Sequence, residues 1–514
     1  MKKHLGHNSN GILPFLVFSM ITGFFSAVIG TVFKLGAEGA IHLSGTIYGA
    51  VRQFPFWLPV LILGTAALGL VASFVVSRAQ SCKGGGIPSS VAAVRGITRF
   101  PWLPSVFVLP FSALITFLCG LPLGTEGPCV QMGTAIGDGV LQCFGAKKHK
   151  AWRRYIMTGG ASAGFSVATA SPISAILFSV EELQKRFSPL LLAGVSLSVV
   201  TAQITVELFA LLGIGSGKLF HFPELGTLSI RLFFAPLLVG IVCGLGSVLF
   251  TQCYHKLEKF VRKALQKLPI QVLFPILFSC VAIIGFFLPG TLGTGHALVD
   301  SVFQAPGVWY LLLLVFVIRA VTMMAANTAG TTGGVFLPTL AFGAIIGALC
   351  AEGMIALGWL ESQHYGLMVI LGIAAFLGAT SRIPLTACVF AVEALGGIHN
   401  GLAIVIATTI AFLVAKLSGI EDFTDAVIEA KKHALHKGKT ASVIVTSLTV
   451  TEDSFILGKA LRDILWPHNC KVISVAHAQE SHSGEELLPG DVVTVRYTTY
   501  DPDATEEELS SLVG

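Results

Sequence analysis

Two stretches of sequence decide the fold, GTEGPCVQMGTAIG at residues 124–137 and GVFLPTLAFGAIIG at residues 334–347. They share four landmarks at one offset, and the equivalent pairs are Gly124 and Gly334, Pro128 and Pro338, Gly133 and Gly343, and Gly137 and Gly347. A glycine-rich turn followed by proline and an apolar run is typical of a helix start, because proline is tolerated in the first turn. The two stretches therefore predict two equivalent helices that begin in equivalent turns.

A second pair of stretches repeats in the same order, GASAGFSVATASPISAILFSVEEL at 160–183 and GIAAFLGATSRIPLTACVFAVEAL at 372–395. The matched positions include Gly160 and Gly372, Pro172 and Pro384, Phe178 and Phe390, and Glu181 and Glu393, and a fainter third pair joins Gly84 and Gly86 to Gly293 and Gly295. Small-residue packing alone would scatter glycine and proline through membrane helices, but it does not explain the shared order. We infer two homologous halves, at about residues 10–214 and 228–420, as in many transporters.

The composition around these repeats is that of a membrane protein with a soluble appendix. The chain of 514 residues is 54% hydrophobic and 12% charged, whereas soluble domains are about 25% charged. Residues 1–420 hold 37 charged side chains with a net charge of +13, and residues 421–514 hold 24 with a net charge of −8. We therefore predict a membrane domain at residues 1–430 and a cytosolic domain at residues 440–514.

Apolar runs of bilayer length recur along the membrane domain, since one span takes about 20 residues. Nine runs suit one helix each: 11–34, 56–77, 103–120, 190–213, 229–252, 269–289, 309–326, 337–359 and 401–415. Two longer runs, 155–180 and 367–392, are broken by glycine and proline. The predicted fold class is an all-α polytopic membrane protein with an inverted repeat and broken, re-entrant helices, followed by a small α+β domain.

Basic clusters predict the orientation of the membrane domain. They lie at Lys2 and Lys3, at Lys147, Lys148, Lys150, Arg153 and Arg154, at residues 256–267, and at Lys431 and Lys432. The positive-inside rule places these loops and both termini in the cytoplasm. A signal peptide at the N-terminus is a weaker alternative, because no small-residue cleavage site stands out. No basic stretch is interleaved with aromatic residues, so nucleic acid is not a predicted partner.

Three glycine-rich turns predict an anion site: KGGGIP at 83–88, GTEGP at 124–128 and GGVFLP at 333–338. A helix N-terminus presents backbone N–H groups and a partial positive charge, which together hold an anion. Carboxylate rings and a TVGYG-type carbonyl filter, which would select cations, are not found in the sequence. The ten cysteines stand singly, without metal-ligand spacing, so neither a metal nor another cofactor is predicted.

Two carboxylates stand out in this setting. Glu126 lies inside an anion-attracting turn, and a charge at membrane depth indicates a function by default; the alternative is a capping residue that only stabilises its helix. Glu181 has a repeat partner in Glu393, which suits a shared structural role at a helix end, but the counterpart of Glu182 is Ala394. Glu182 is therefore specific to one half. Because Lys185 and Arg186 follow it, Glu182 lies near the cytoplasmic end of its helix, placed to collect protons from inside. The alternative is a solvated or ion-paired residue at a helix end.

One competing motif points to an enzyme. GASAG at 160–164 fits the GxSxG pattern of serine nucleophiles. It falls in a predicted helix, its repeat partner has Ala374 in place of Ser162, and no His or Asp is placed to activate it. We therefore predict that the protein is not an enzyme.

At this point the motifs GGGIP, GTEGP, GGVFLP and PxSAxxFxxEE (172–182) resemble, in order and spacing, the CLC family of chloride channels and proton-coupled chloride antiporters. The resemblance covers residues 10–430 and implies a homodimer with one pore per subunit. It implies that Glu126 is the external gate and proton acceptor and that Glu182 is the internal proton-transfer residue. The anion-binding residues that it implies are Gly85, Gly86, Ile87, Gly127, Val335, Phe336 and Thr424. Because members that keep both glutamates are usually antiporters, it favours exchange of chloride for protons across the plasma membrane over a passive channel in which Glu126 only gates.

Three departures from the family pattern bear on selectivity and coupling. Gly85 stands where a serine is usual, Thr424 where a tyrosine is usual, and Thr125 where a basic residue usually precedes the glutamate. Phe423 is a candidate to replace part of the tyrosine. The transported anion is therefore chloride or a similar monovalent anion, with nitrate and fluoride as alternatives.

The tail has a different pattern, with short alternating apolar runs that predict strands at ASVIVTSLTV, KVISVAH and LLPGDVVTVRYT and a helix at SFILGKALRDILW. Residues 440–500 resemble the TrkA-C (RCK-C) type of domain. The resemblance implies dimerisation or the sensing of an unknown small ligand, and a tail that only stabilises the dimer is the alternative.

Overall fold

The structure is a computed structural model. It describes residues 4–513 except 85, 99–100, 145–150, 216–218, 221, 224, 266–267, 436–440, 468, 479–484 and 501. The predicted anion-site residue Gly85 lies outside the described residues. So do six lysines of the basic clusters, namely Lys2, Lys3, Lys147, Lys148, Lys150 and Lys267.

Helices build both halves of the membrane domain. The first half contains α1 (His4–Gln53), α2 (Leu58–Arg78), α3 (Ile87–Val94), α4 (Trp102–Leu118), α5 (Glu126–Phe144), α6 (Arg153–Thr169), α7 (Pro172–Phe178), a π-helical turn (Ser179–Gln184) and α8 (Pro189–Leu211). The second half contains α9 (Phe234–Leu265), α10 (Ile270–Phe287), α11 (His296–Gln304), α12 (Trp309–Ala329), α13 (Phe336–Ala356), α14 (Tyr365–Thr380), α15 (Pro384–Leu395) and α16 (Gly401–Leu417). A further helix, α17 (Phe423–Leu435), follows.

The nine apolar runs each fall in one helix, as predicted, although the first helix extends well beyond residue 34 to Gln53. Among the described residues, 9 helices are long and apolar enough to cross a membrane. Both interrupted runs are broken, as predicted. Ala170, with φ of 52°, ends α6 in the left-handed conformation, and Pro172 then begins α7. In the second half the break lies between Thr380 and Pro384.

Equivalent residues of the two halves meet each other, which shows how the repeat is arranged. Gly124 and Gly334 form an antiparallel bridge in which each N–H donates to the other's carbonyl oxygen at 2.7 Å. A residue can contact its own repeat partner reciprocally only near a twofold axis. The halves are therefore related by an approximate twofold axis that passes between these two glycines, as an inverted repeat requires.

Glycine pairs bring the helices of each half into close contact. A Cβ on Gly133 in α5 would overlap the carbonyl oxygen of Gly160 in α6, and a Cβ on Gly343 in α13 would lie 2.6 Å from the carbonyl oxygen of Gly372 in α14. These are the same two repeat pairs that the sequence matched. Their spacing is conserved between the halves because each half packs its central helix pair backbone against backbone.

The tail forms a three-stranded antiparallel sheet of order β1-β3-β2, with β1 (Ser442–Thr449), β2 (Cys470–Ala476) and β3 (Val492–Thr499), and ends in α18 (Pro502–Val513). The three strands were predicted, and α18 was not. The predicted helix at 454–466 is wrong, since this segment consists of turns and one 3-10 turn at Leu461–Asp463. The Gly458 N–H donates to the Leu487 carbonyl at 2.8 Å, and the Leu487 N–H donates to the Lys459 carbonyl at 3.1 Å. These backbone hydrogen bonds keep the segment in a non-helical conformation. These tertiary contacts override its helical propensity.

The same segment docks the tail on the membrane domain. The Tyr155 hydroxyl of α6 donates to the Asp463 carbonyl at 3.1 Å and accepts from the Leu465 N–H at 3.1 Å. Arg154 pairs with Glu508 of α18, with 2.7 Å between Nε and Oε1, and Arg154 Nη1 donates to the Trp466 carbonyl at 2.7 Å. The tail is thus attached to the N-terminal end of α6.

Candidate anion and proton site

The three predicted helix N-termini converge at one point. A Cβ built on Gly127, in the first turn of α5, would lie 2.6 Å from Gly334 Cα and 3.0 Å from Gly86 Cα. Gly86 directly precedes α3, and Gly334 lies two residues before α13. Side chains at these positions would keep the helix starts apart. The glycines therefore allow three partial positive charges to face a common space.

One of the backbone N–H groups at this point, that of Gly86, already has a hydrogen-bond partner. The Gly86 N–H donates to Gln131 Oε1 at 2.8 Å, and Gln131 Nε2 donates in turn to the Ser81 carbonyl at 2.8 Å. Gln131 is fully buried in α5. The Gly86 N–H is therefore engaged by an amide side chain that holds the turn in place. Ile87 begins α3 at the same junction.

Glu126 is the first residue of α5 and is completely buried. Its carboxyl group is turned toward the start of α13, with the backbone N–H groups of Glu126 and Leu337 as nearby donors and the Thr125 hydroxyl 3.5 Å from Oε1. The other oxygen, Oε2, has no hydrogen-bond partner among the described residues. Lys34 of α1 acts electrostatically on this carboxylate. It supplies a positive charge that the sequence lacks at position 125, and no motif pointed to it.

Val335 and Phe336 form the start of α13, as the resemblance implies. Val335 is the residue before the helix, and Phe336 is its first residue. Backbone N–H groups in a first helical turn have no partner within the helix. The Phe336 ring is buried edge-on against Phe165 and Phe390, with centroids 5.1 and 5.5 Å apart. This apolar packing fixes the helix start without using its N–H groups.

The repeat partners Glu181 and Glu393 each bind the half of the protein opposite to their own. Glu181 accepts hydrogen bonds from the N–H groups of Leu385 and Thr386 and from the Thr386 hydroxyl, at 2.7 to 3.1 Å. Glu393 accepts the equivalent bonds from Ile173 and Ser174 at 2.7 to 2.9 Å. Each glutamate thus caps the N-terminus of a helix in the other half. The predicted structural role at a helix end is confirmed.

Glu182 has a different environment from its neighbour. It lies in the π-helical turn, is 1% exposed, and neither carboxyl oxygen has a hydrogen-bond partner in the described part of the chain. The Thr424 hydroxyl of α17 lies beside it. The structure therefore brings Thr424 to Glu182, whereas Phe423 turns away and packs edge-on against Tyr254 of α9, with centroids 4.6 Å apart.

A cluster of charged side chains surrounds Glu182 and was not predicted from the sequence. Its members are Arg95 at the end of α3, Lys185 after the π-helical turn, and Asp422 and Asp425 at the start of α17. Lys185 and Asp422 are 237 positions apart, so no local pattern could have paired them. The stretch IEDFTDAV held the only signal, since it places two acids beside Thr424.

The serine motif has no catalytic setting. GASAG lies inside α6, and Ser162 is fully buried with no hydrogen-bond partner for Oγ among the described residues. A nucleophile elbow instead needs a sharp strand-to-helix turn. Over the described residues, no group of three or more His, Cys, Asp or Glu side chains is placed to hold a metal ion.

Known proteins resemble this chain in sequence and in fold. The H(+)/Cl(-) exchange transporter ClcA of Vibrio cholerae serotype O1 is 28% identical over 420 residues, which are 79% of this chain and 86% of that protein. A slow cyanobacterial Cl-/H+ antiporter has the same fold, with a TM-score of 0.73 at 23% identity over 81% of this chain and 98% of that one. A CLC-type fluoride/proton antiporter has a TM-score of 0.66 at 20% identity, over 79% and 96%.

The family described as voltage gated chloride channel matches residues 64–416. This range contains all three converging helix starts, both capping glutamates, Glu126 and Glu182. The match does not extend to α17 or the tail. The chain therefore belongs to the voltage-gated chloride channel family, the CLC family.

Proposed function

We propose that this protein is an antiporter that exchanges chloride, or a similar monovalent anion, for protons across the membrane. One observation carries the proposal: the buried carboxyl group of Glu126 lies where the N-termini of α5 and α13 meet. That position attracts an anion. A carboxylate in it and a free anion compete for the same donors.

Competition of this kind couples an anion to a proton. While ionised, the Glu126 carboxylate occupies the place of the anion and blocks it. Once protonated, it loses its attraction to the helix N-termini, so it leaves and an anion enters. Each cycle then moves a proton and an anion in opposite directions, provided that protons reach Glu126 from only one side at a time.

Glu182 is proposed to exchange protons with the cytoplasmic side. A buried carboxyl group without hydrogen-bond partners is costly to ionise, and a structural role would provide partners, as Glu181 next to it has. Its position in a π-helical turn adds to this, because such turns are frequent at functional sites.

The names of the relatives support the same function. The ClcA protein is named an H(+)/Cl(-) exchange transporter, and two of the solved structures are titled as chloride or fluoride antiporters with protons. We further propose a homodimer in the plasma membrane with both termini in the cytoplasm, where the tail is a TrkA-C-like regulatory domain. The backbone around Gly85, Gly86, Ile87, Gly127, Val335 and Phe336 is proposed to form the anion site, with Thr424 on its inner side.

The function is tested by replacing the proposed gate in purified protein reconstituted in liposomes. We expect Glu126→Gln to abolish proton flux, because an amide cannot carry a proton at neutral pH. Chloride and proton fluxes are measured on the same vesicles, with Glu361→Gln as a control at an exposed glutamate. A Glu126→Gln protein that still drives protons uphill would contradict the role of this residue.

The inner glutamate is tested by Glu182→Gln in the same vesicles. We expect proton movement to stop while chloride flux persists, since the anion does not need Glu182. Loss of both fluxes would point to a structural role for Glu182. A wild-type protein that moves chloride without moving protons would instead favour a passive channel.

A further inference from the structure

We propose that Asp422 is the proton-transfer residue between the cytoplasm and Glu182. The inference rests on the proposed proton-coupled function and deepens it, because it names how protons reach the inner glutamate. Asp422 lies outside the range that the family matches.

Asp422 is held at the start of α17 with its carboxyl group turned inward. Oδ1 accepts a hydrogen bond from the Asp425 N–H at 2.6 Å, which caps the helix, and Oδ2 lies 2.8 Å from Lys185 Nζ. Its side chain is 6% exposed. Its charge acts directly on Glu182. Lys185, which directly follows the π-helical turn that carries Glu182, thus joins Asp422 to that turn, and both carboxyl groups belong to one largely buried cluster.

Charged and polar groups face this pair from every side. Arg95 of α3 donates through Nη2 to the Glu182 backbone carbonyl at 2.6 Å and through Nε to the Leu183 carbonyl at 2.9 Å, and its charge also acts on Glu182. Lys185 and Thr424 act on Glu182 from the π-helical turn and from α17. Arg382, between α14 and α15, acts on Asp422. The α6 side is neutral, where Gln184 donates to the Thr158 hydroxyl at 2.7 Å.

These neighbours have opposing effects on the ionisation of Asp422. Lys185 and Arg382 favour its ionised form, whereas burial and the negative charge of Asp425 favour its protonated form. The Asp422 and Glu182 carboxylates interact at low solvent exposure and repel when both are ionised, which favours states in which one of them is protonated. A carboxyl group balanced between its two forms is suited to pass protons on.

The exposure of the cluster increases step by step from Glu182 to solvent. Glu182 is 1% exposed, Asp422 has 6% of its side chain exposed, and Lys185 and Asp425 have 35% and 40%. Lys185 is held in a left-handed conformation with φ of 52°, which is uncommon for a residue other than glycine. This conformation lets its ammonium group reach both aspartates. Lys185 is thus a positioning residue that holds Asp422 between solvent and Glu182.

The proposed step moves one proton and breaks no other bond. A proton from the cytoplasm binds a carboxylate oxygen of Asp422. Neither carboxyl oxygen of Glu182 has a hydrogen-bond partner among the described residues, so the proton passes through an intervening water molecule to a carboxylate oxygen of Glu182. Glu182 becomes neutral while Asp422 returns to its ionised form. The reverse sequence releases a proton to the cytoplasm.

A purely structural role of Asp422 makes different predictions. Asp422 caps α17, and asparagine caps a helix about as well as aspartate. Asp422→Asn therefore keeps the cap and the shape but removes the proton carrier. Asp422→Glu keeps a carboxyl group on a side chain that is longer by one methylene. The matched control is Asp425→Asn, which removes a more exposed carboxylate that binds the same lysine.

The experiment measures chloride and proton fluxes in liposomes for the wild type and these three variants, with melting temperatures in detergent as a check on folding. We expect Asp422→Asn to lower the proton flux at least about 10-fold, to keep chloride flux, and to melt close to the wild type. We expect Asp422→Glu to recover proton flux and Asp425→Asn to remain coupled.

Three results would overturn the inference. Asp422→Asn could remain fully coupled, Asp425→Asn could lose proton flux to the same extent, or Asp422→Asn could lose both fluxes together with its stability. If wild-type protein is coupled and Asp422→Asn is too, only the role of Asp422 fails. If the wild type moves chloride without protons, the proposed function fails as well.

Discussion

At the scale of single residues, hydrogen-bond partners separate the structural carboxylates from the proposed functional ones. Glu181 and Glu393 each accept three hydrogen bonds at a helix N-terminus of the opposite half. Glu126 and Glu182 are more deeply buried, and Oε2 of Glu126 and both carboxyl oxygens of Glu182 have no hydrogen-bond partner among the described residues. A buried carboxylate without partners lowers stability. We interpret that loss as the consequence of needing groups that gain and lose a proton.

Because Glu181 and Glu393 make equivalent capping contacts in opposite halves, equivalent substitutions of the two should lower the free energy of unfolding equally. We expect Glu181→Ala and Glu393→Ala each to lower the free energy of unfolding by about 1 to 3 kcal/mol, because each leaves helix N–H groups without an acceptor. The melting temperature of purified protein in detergent measures this, with Glu361→Ala as the control at an exposed site. A large loss for one glutamate and none for the other would contradict the approximate twofold relation.

At the scale of helices and strands, the repeat predicted most of the membrane domain because glycine and proline mark helix ends by their own chemistry. It located the starts of α5 and α13, and Pro172 and Pro384 begin the helices that follow the breaks after α6 and α14. Glu126 was singled out by its position in an anion-attracting turn, and Glu182 by its lack of a repeat partner. The capture of the Gly86 N–H by Gln131 and the pairing of Lys185 with Asp422 could not be predicted, because both are contacts between distant positions. The tail segment 454–466 has helical periodicity, yet its contacts with Leu487 and Tyr155 hold it as turns.

Close helix contact predicts a difference between two glycines of the same helix. A Cβ on Gly343 of α13 would lie 2.6 Å from the Gly372 carbonyl oxygen, whereas a Cβ on Gly353 would meet nothing within 4 Å. We expect Gly343→Ala to reduce the yield of folded protein strongly, since backbone atoms have to move apart. Gly353→Ala should have no such effect. Size-exclusion profiles after detergent extraction measure both, and equal profiles would contradict the described packing of α13 on α14.

At the scale of the whole molecule, the tail is attached to the part of the membrane domain that carries the site. It binds Arg154 and Tyr155 at the start of α6, and α6 packs on α5 through Gly160 and Gly133. The helix that begins at Glu126 is thus one helix away from the tail. One helix therefore connects the tail to Glu126, the proposed gate.

The docking contacts predict that one arginine holds the tail and another does not. Arg154 is 7% exposed and binds both Glu508 and the Trp466 carbonyl, whereas Arg462 pairs with Glu485 at a site where both side chains are at least 70% exposed. Exposed pairs contribute little to stability. We expect Arg154→Met to speed the release of the tail by chymotrypsin and Arg462→Met to leave it unchanged. Equal release rates for the wild type and both variants would contradict the docked arrangement.

The central claim is that anion movement and proton movement are coupled, and one measurement tests it most directly. Wild-type protein in liposomes is given a chloride gradient at equal pH on both sides, and the internal pH is followed, with nitrate and fluoride gradients run in parallel. We predict that chloride drives protons in the opposite direction and so builds a pH difference, as antiport requires. Chloride flux without any such pH difference would contradict the account and leave a passive anion channel.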